Sequence, residues 1–349
     1  MKRIFLAVIA VFAFVPYGWG GLGKESPIKL TVDVEGKRVV LRWNKPSDLS
    51  VKEFYLLYAP FPQGNPVQVA PLGNLTEVSA DVPLNSDFYV VVVAPDEEGS
   101  IYFSNVEYFR IRNIWKPAPG TTWQWQLTGD IDTSVDAEMF DVDLFDTPVE
   151  VIEELHKKGS KVICYFSAGT YESWRPDAYK FPKEIIGKPL EDWPGERWLD
   201  IRQIDKLSPI MEARLDLAVE KGCDGVEPDN VDGYKNDTGF PITYEDQLHY
   251  NIWLARRAHQ RGLSVGLKND LEQVRELEPY FDWALNEECF SYDECEYLLP
   301  FIEHGKAVFG VEYELEPEKF CPKANEMGFS FMLKRKELDA WRIPCWELK

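Results

Sequence analysis

The sequence predicts an α/β protein in which a (β/α)8 TIM barrel follows a small all-β sandwich. The chain has 349 residues, of which 45% are hydrophobic and 14% aromatic, so it can bury a large core. Its first third contains short alternating apolar runs, whereas the later residues alternate apolar strands with amphipathic helices. This change in periodicity predicts the two regions and their order.

Short strands separated by Pro, Gly and Asn predict the sandwich over residues 27–112. They read IKLTVDV, RVVLRW, EFYLLYA, TEVSADV, FYVVVVA and IYFSNVEYF. With Trp43 ending the second strand and the segment VPLNSDFYVVVVAPDEEGS, this region resembles an immunoglobulin-like domain of the fibronectin type III family. Phe88 stands where that family has its corner tyrosine. We expect a spacer or docking module, with glycan binding as the alternative.

A proline-containing linker at residues 113–120 separates the sandwich from the barrel predicted at residues 121–349. The eight predicted barrel strands read TWQWQL, FDVDLF, KVICYFSAG, CDGVEPDN, SVGLKND, WALNEECF, AVFGVEYE and FSFMLK. Amphipathic helices fall between them, and several end at a glycine, as helices commonly do. RWLDIR at residues 197–202 would make a ninth strand, so we assign it to a long loop over the barrel mouth.

The N-terminus has the features of a signal peptide at residues 1–21. Two basic residues precede an apolar run from Ile4 to Val15, and small residues continue to Gly21. The run is shorter than the roughly 20 residues that a membrane span needs. We therefore expect a secreted or extracytoplasmic protein without membrane contact, the alternative being a signal that stays uncleaved as an anchor.

The charge of the chain argues against several classes of partner. Thirty-eight basic and 59 acidic residues give a formal net charge of −21, which disfavours binding to nucleic acid or to anionic membranes. A cationic ligand would be attracted, although solubility alone also explains an acidic surface. The four histidines lie in predicted helices or at their ends, which argues against a transition-metal site. We expect a monomer without a cofactor.

Six cysteines in an exported chain permit disulfide bonds. Cys289 and Cys295, in CFSYDEC, are close enough in sequence to clip one loop. Cys164 and Cys223 lie in apolar runs and are predicted to be buried thiols. The sequence leaves open whether the remaining two cysteines pair.

Polar residues recur at the carboxyl ends of the predicted barrel strands, which open into the loops that build active sites in this architecture. They are Asp143, Tyr165, Ser167, Asp229, Lys268, Asn269, Glu287, Glu288 and Glu312. A single strand-end carboxylate is as often a helix cap or loop anchor, but the recurrence of polar residues at several strand ends predicts one polar mouth. Because side chains alternate along a strand, Glu227 lies one layer below Asp229, with Lys268 as its basic partner.

Paired carboxylates at one mouth are what glycoside hydrolysis requires, because one protonates the leaving group and the other attacks or activates water. Aromatic side chains at strand ends could stack on sugar faces, although core packing explains each one equally well. These residues are Trp123, Trp125, Tyr165, Trp174, Trp193, Trp198 and Tyr234.

Seven motifs in register resemble glycoside hydrolase family 114, typified by endo-α-1,4-polygalactosaminidases, over about residues 121–335. They are WQWQLTG, DVDLFDTP, VICYFSAGTYESWRPDA, RWLDIR, GCDGVEPDNVDGY, GLKND and NEECFSYDEC. The resemblance implies a barrel enzyme that cleaves α-1,4-linked galactosamine polymers internally. It places the catalytic pair at Asp229, as nucleophile or base, and Glu287, as general acid, with exchanged roles as the alternative. Glu288 is the competitor to Glu287.

The resemblance also implies substrate-binding residues, to which strand-end and aromatic positions are added. The motif matches are Asp143, Tyr165, Glu172, Arg175, Asp200, Asp232 and Lys268, and the added positions are Trp125, Glu227, Tyr234, Asn269 and Glu312. For Arg175 the alternative is an internal pair with Asp177 that holds the loop.

The expected partner is therefore a polysaccharide whose ammonium groups suit the negative charge of the chain. The alternatives are a different α-glycan, a glycan-binding protein without turnover, and a metal-dependent hydrolase.

Overall fold

The computed structural model describes residues 26–47, 50–61, 64–191 and 193–348. The predicted signal peptide at residues 1–21 lies outside these residues. The chain divides into two compact units whose main boundary falls between Asn113 and Ile114, and each is described by itself. None of the helices in the described ranges combines the length and apolar character needed to cross a membrane.

The first unit contains two antiparallel sheets. Its strands are β1 (Leu30–Glu35), β2 (Arg38–Trp43), β3 (Phe54–Pro60), β4 (Gln68–Gly73), β5 (Glu77–Asp81), β6 (Asp87–Pro95), β7 (Ile101–Phe103) and β8 (Glu107–Arg110). One sheet has the order β1–β2–β5, and the other has the order β4–β3–β6–β7 with β8 paired to β6. The all-β fold predicted for this region is confirmed.

Alternating side chains of both sheets form one core, as a sandwich requires. Leu30, Val32 and Leu41 from the smaller sheet join Val90 and Val92 from the larger sheet in this core. The rings of Trp43 and Phe54 also meet there, edge to face, at 5.8 Å. The period-2 pattern that predicted the strands is therefore the pattern that fills the core.

The second unit contains the remaining twelve strands of the described chain. They are β9 (Trp123–Gln126), β10 (Met139–Asp143), β11 (Lys161–Ser167), β12 (Thr170–Glu172), β13 (Ile186–Pro189), β14 (Glu196–Leu199), β15 (Gly225–Asp229), β16 (Ser264–Lys268), β17 (Trp283–Glu287), β18 (Val308–Glu312), β19 (Ser330–Lys334) and β20 (Arg342–Pro344). Eight of them run parallel in the order β9–β10–β11–β15–β16–β17–β18–β19, and β20 adds an antiparallel strand beside β19.

These eight parallel strands are the eight predicted from the sequence, so the (β/α)8 barrel is confirmed. The indole nitrogen of Trp123 on β9 donates to the carbonyl of Ser330 on β19 at 2.8 Å, which links the first and the eighth strands. RWLDIR does not enter the barrel, as predicted.

The loop after β11 contains its own antiparallel sheet, with the order β12–β14–β13. We call these three strands the loop sheet. The first half of RWLDIR belongs to it, because residues 197–199 lie in β14.

Six α-helices lie in the described part of this unit, between or after the strands. They are α1 (Val149–Lys157), α2 (Ile204–Lys221), α3 (Tyr244–Gln260), α4 (Val274–Leu277), α5 (Leu299–Glu303) and α6 (Pro317–Glu326). The α1 helix buries Ile152 and Leu155 on one face, and α2 is followed by Gly222, whose φ of +87° suits the position after a helix C-terminus. Helices thus cover the parallel sheet and leave the strand ends accessible from the loops.

Three disulfide bonds are present. The predicted Cys289–Cys295 bridge forms, and Cys321 also bonds to Cys345. The prediction of buried thiols at Cys164 and Cys223 was wrong, because these residues form a bridge with Cα atoms 6.0 Å apart. Cys164 lies on β11 and Cys223 just before the adjacent β15, and this neighbouring of strands is a long-range feature that local sequence does not show.

Candidate active site

Two carboxylates lie at the barrel mouth, at the carboxyl ends of two strands that are separated by one strand. Asp229 is the last residue of β15 and Glu287 is the last residue of β17, and the residues before each of them in the strand are buried. The side chain of Asp229 is 17% exposed and that of Glu287 is 29% exposed. Alternation along the strands thus delivers both groups to the edge of the core, where water and a ligand can reach them.

Lys268, at the end of the intervening strand β16, contacts both carboxylates. Its Nζ atom lies 3.2 Å from Asp229 Oδ1 and 3.4 Å from Glu287 Oε2. It also lies 2.9 Å from Glu227 Oε1, as predicted, and 4.7 Å from the ring centre of Trp125. Although burial opposes the charge, the three carboxylates together raise the pKa of Lys268 well above its usual value. The lysine is therefore a fixed cation between acidic groups.

A tyrosine hydroxyl donates to the second oxygen of each carboxylate. Tyr165 donates to Asp229 Oδ2 at 3.0 Å, and Tyr313 donates to Glu287 Oε1. Burial, followed by the neighbouring carboxylates, raises the pKa of both tyrosines well above the usual value, so they stay neutral donors. Asn269 adds a long contact of 3.5 Å to Glu287 Oε2 and accepts from the Glu287 backbone N–H at 2.9 Å.

A deeper acidic layer lies beneath this pair. Glu227 and Asp141 are both fully buried, on β15 and β10. Burial is the main cause that raises the pKa of Glu227 to about 7 and that of Asp141 well above its usual value. Asp141 was not predicted from the sequence, although the alternation that placed Glu227 below Asp229 also places Asp141 below Asp143.

One wall of the mouth is a buried ion-pair cluster around Arg175. Its guanidinium contacts Asp143 at 2.7 Å and Glu172 at 2.9 Å. The alternative of an Arg175–Asp177 pair was wrong, because Asp177 contacts Arg214 at 2.8 Å instead. Because Arg214 lies on α2, the local WRPD motif could not predict the Arg214–Asp177 pair.

These groups line a cavity of about 500 Å³. From the predicted site, the lining includes Trp125, Asp143, Tyr165, Glu172, Arg175, Asp229, Asp232, Lys268, Asn269 and Glu287. Burial raises the pKa of Asp232 to about 6. Within the described ranges, no group of three or more His, Cys, Asp or Glu side chains is arranged to hold a metal ion.

Four predicted residues lie outside the cavity lining. Asp200 pairs with Arg202 at 2.7 Å, and Glu312 accepts from the Phe290 N–H at 2.9 Å. Tyr234 contacts Glu272 at 3.3 Å, and Glu227 lies under Lys268. The first two therefore anchor loops, in line with the alternative reading of strand-end carboxylates.

The predicted aromatic residues do not all face the cavity. Trp123 and Trp198 are buried, whereas Trp174 and Trp193 line the cavity and are 52% and 55% exposed. Tyr313 and Glu196 were not predicted from the sequence. Tyr313 directly follows the predicted site residue Glu312 after β18, and Glu196 begins a strand of the loop sheet.

Comparisons with known proteins identify the family and the fold. Residues 108–348 match the family model described as glycoside-hydrolase family GH114. The crystal structure of Aspergillus fumigatus Ega3 in complex with galactosamine is similar, with a TM-score of 0.64 and 43% sequence identity, over 66% of this chain and 97% of that one. An uncharacterised protein of Deinococcus radiodurans is 28% identical over an alignment of 237 residues, and the match covers 58% of this chain and 76% of that protein.

The glycoside hydrolase domain of PelA from Pseudomonas aeruginosa is also similar. Its TM-score is 0.54 at 12% identity, over 64% of this chain and 97% of that domain. At this identity the likeness supports the fold alone.

Proposed function

The chain belongs to glycoside hydrolase family GH114, and we propose that it cleaves α-1,4-linked galactosamine polysaccharide internally, with Asp229 and Glu287 as the catalytic pair. The observation that carries this proposal is the contact of one buried cation, Lys268, with both carboxylates at the barrel mouth. Two carboxylates that line one cavity supply the acid and the nucleophile or base that acetal hydrolysis needs.

The contacts favour Asp229 as nucleophile and Glu287 as general acid. Asp229 contacts Lys268 Nζ at 3.2 Å and accepts hydrogen bonds from the Tyr165 hydroxyl at 3.0 Å and the Asn230 N–H at 2.7 Å. All three contacts stabilise its anion. Glu287 is more exposed, and its contact with Lys268 is longer, at 3.4 Å. Its greater exposure places it where the leaving oxygen of a bound sugar can reach it, as a general acid requires.

The shared lysine also favours a retaining reaction. The Lys268 Nζ atom lies 3.2 Å from one oxygen of Asp229 and 3.4 Å from one oxygen of Glu287. These two oxygens therefore cannot be much farther apart than roughly 6.5 Å, which is the lower limit of the carboxyl separation in inverting enzymes. Retaining enzymes have carboxyl groups about 5–5.5 Å apart. Asp229 would then attack the anomeric carbon while Glu287 protonates the glycosidic oxygen, and water activated by Glu287 would release the sugar.

The cavity charge suits an amino-sugar polymer. Eight acidic residues line the cavity, against three basic ones, and the whole chain has a net charge of −21. Ammonium groups on galactosamine units would be attracted to this mouth. The galactosamine bound to Ega3, which is 43% identical, supports the same substrate class.

We also propose that the protein is exported and that its first 21 residues direct the export. The three disulfide bonds support this proposal, because such bonds persist in oxidising compartments.

Product analysis tests the proposed function. The purified protein is incubated with partly deacetylated polygalactosamine, with its fully acetylated form, and with common α-glucans and α-galactans. We expect short oligomers from the galactosamine polymer, and NMR of the first products should show the anomer of the substrate. Cleavage of an α-glucan without cleavage of the galactosamine polymer would contradict the proposed substrate. Binding of the polymer without any product would reject the proposed hydrolysis.

A further inference from the structure

Asn230, which follows the proposed catalytic Asp229, has a left-handed backbone held by its side chain. Its φ angle is +61°, in a region that few residues other than glycine adopt and that asparagine tolerates. Its amide nitrogen lies 2.9 Å from Ser167 Oγ, 3.3 Å from Thr170 Oγ1 and 3.2 Å from Glu196 Oε1. Two of these three acceptors belong to the loop sheet, since Thr170 begins β12 and Glu196 begins β14.

The hydrogen bonds that link these side chains all run in one direction, from Asn230 towards Glu196. Ser167 Oγ contacts Thr170 Oγ1, and Thr170 Oγ1 contacts Glu196 Oε1. Burial raises the pKa of Glu196 to about 7, so above that pH it is a carboxylate and accepts only. Thr170 therefore donates to Glu196, Ser167 to Thr170, and Asn230 to Ser167. The chain of donors ends at Glu196 and fixes which end of the Asn230 amide faces it.

The main chain after β11 holds the other side of the same turn. The N–H groups of Ala168 and Gly169 donate to the carbonyl oxygen of Asp229 at 2.8 and 3.1 Å. A Cβ atom at Gly169 would lie 1.6 Å from the carbonyl oxygen of Asn230, so only glycine permits this approach. The Asn230 N–H in turn donates to Asp229 Oδ1 at 2.7 Å. The shape of the turn thus sets where the carboxylate points.

We propose that Thr170 and Glu196, both on the loop sheet, are positioning residues that hold the carboxylate of Asp229 in its reactive orientation through Asn230. The inference rests on the proposed function only in taking Asp229 as catalytic. If Asn230 is released, its N–H turns away from Asp229 Oδ1, and the carboxylate loses one of its three donors. A misplacement of this kind lowers the rate of the chemical step more than it weakens substrate binding.

Matched substitutions separate positioning from general packing. Thr170→Val removes the hydroxyl at nearly constant size, and Thr170→Ser keeps the hydroxyl. Asn230→Gly permits the left-handed φ but removes the amide. Asn85→Gly is the control for that change, because Asn85 is also an asparagine with positive φ, at +63°, and lies in the sandwich. Glu196→Gln keeps an acceptor for Thr170, whereas Glu196→Ala removes it.

The assay measures kcat and KM on the galactosamine polymer at about pH 8, with the thermal midpoint as a folding control. We expect Thr170→Val, Glu196→Ala and Asn230→Gly to lower kcat by about tenfold to a hundredfold, with KM within about twofold. Thr170→Ser should restore most of the rate, and Asn85→Gly should keep all of it. Unchanged kcat in the three variants would overturn the inference. A raised KM with unchanged kcat would do so too, because Glu196 would then be a substrate contact.

A crystal structure provides a second readout that does not depend on turnover. In the wild type and in Thr170→Ser we expect Tyr165 to remain hydrogen-bonded to Asp229, and in Thr170→Val we expect this contact to be lost or lengthened. An unmoved Asp229 in Thr170→Val would overturn the inference even if the wild type proved inactive on the polymer. Inactivity of the wild type with a displaced Asp229 in Thr170→Val would reject only the proposed function.

Discussion

Lys268 is the residue on which the charges of the site depend. It is 1% exposed and contacts Glu227, Asp229 and Glu287. Without it, three carboxylates would face one another in a poorly solvated space, and each would ionise less readily. The lysine therefore makes a dense acidic mouth compatible with a stable fold.

Replacing Lys268 with Met should destabilise the fold and shift the pH dependence of catalysis. Leaving a buried charge without its partner costs about 3–5 kcal/mol, and the unpaired carboxylates should gain protons at higher pH. We expect a lower unfolding free energy in urea, and the acid limb of kcat/KM should move to higher pH. Lys336→Met, at an exposed lysine of the same cavity, is the control. An unchanged acid limb in Lys268→Met would contradict this role.

Asp141 should make the stability of the protein depend on pH. Its folded-state pKa is raised by burial first and by Glu227 second, so its stabilising effect is complete below the unfolded-state pKa and declines as the pH rises. Asp141→Asn removes that decline. The variant should gain stability relative to the wild type between pH 5 and 8, by at most about 1.4 kcal/mol per pH unit. Urea unfolding at several pH values, with the exposed Asp146→Asn as control, measures it. If the difference in unfolding free energy between the variant and the wild type did not change with pH, the pKa of Asp141 would not be raised in the folded state.

At the scale of elements, the sequence predicted what depends on local order and missed what depends on distant neighbours. Period-2 alternation and strand ends placed Asp229 and Glu287 at the barrel mouth, because these features lie within single strands. The Cys164–Cys223 bridge and the Arg214–Asp177 pair join elements far apart in sequence. Their pairing depends on which strands and helices become neighbours, which composition and periodicity do not specify.

Two of the three disulfide bonds should differ in their effect on stability. Cys164–Cys223 closes a separation of 59 residues and Cys289–Cys295 closes one of six. Loop-closure entropy predicts a loss of about 4 kcal/mol for the first and about 2 kcal/mol for the second. Double Ala variants of each pair, compared by urea unfolding, test this order. A greater loss from the shorter loop would mean that packing around the cysteines outweighs chain entropy.

At the scale of the whole molecule, the net charge of −21 should assist the capture of a cationic polymer. Such attraction is screened by salt, with a Debye length of about 10 Å at 0.1 M. We expect kcat/KM on deacetylated polygalactosamine to fall as NaCl rises from 20 to 500 mM. A more acetylated polymer serves as the control, because its lower charge should make it less sensitive. If kcat/KM fell equally with salt for the two polymers, electrostatic attraction would not contribute to the capture of the substrate.

The division of roles between the two units follows from the same scale. The carboxylates, the buried lysine and the cavity all lie in the second unit, whereas the first unit is a sandwich whose described core is apolar. This division was predicted because polar residues recur at strand ends after the linker, whereas no such cluster stands out in the sandwich. The spacer or docking role of the sandwich stays a prediction.

The central claim, that Asp229 and Glu287 carry out the chemistry, is tested most directly by the activity of Asp229→Asn and Glu287→Gln on the galactosamine polymer. Each substitution keeps the shape and removes the charge or the proton, and Glu288→Gln is the neighbouring control. We expect each of the first two to lower kcat by between about a hundredfold and ten-thousandfold with an unchanged thermal midpoint, and Glu288→Gln to stay within about threefold. Wild-type activity in Asp229→Asn or in Glu287→Gln would contradict the claim.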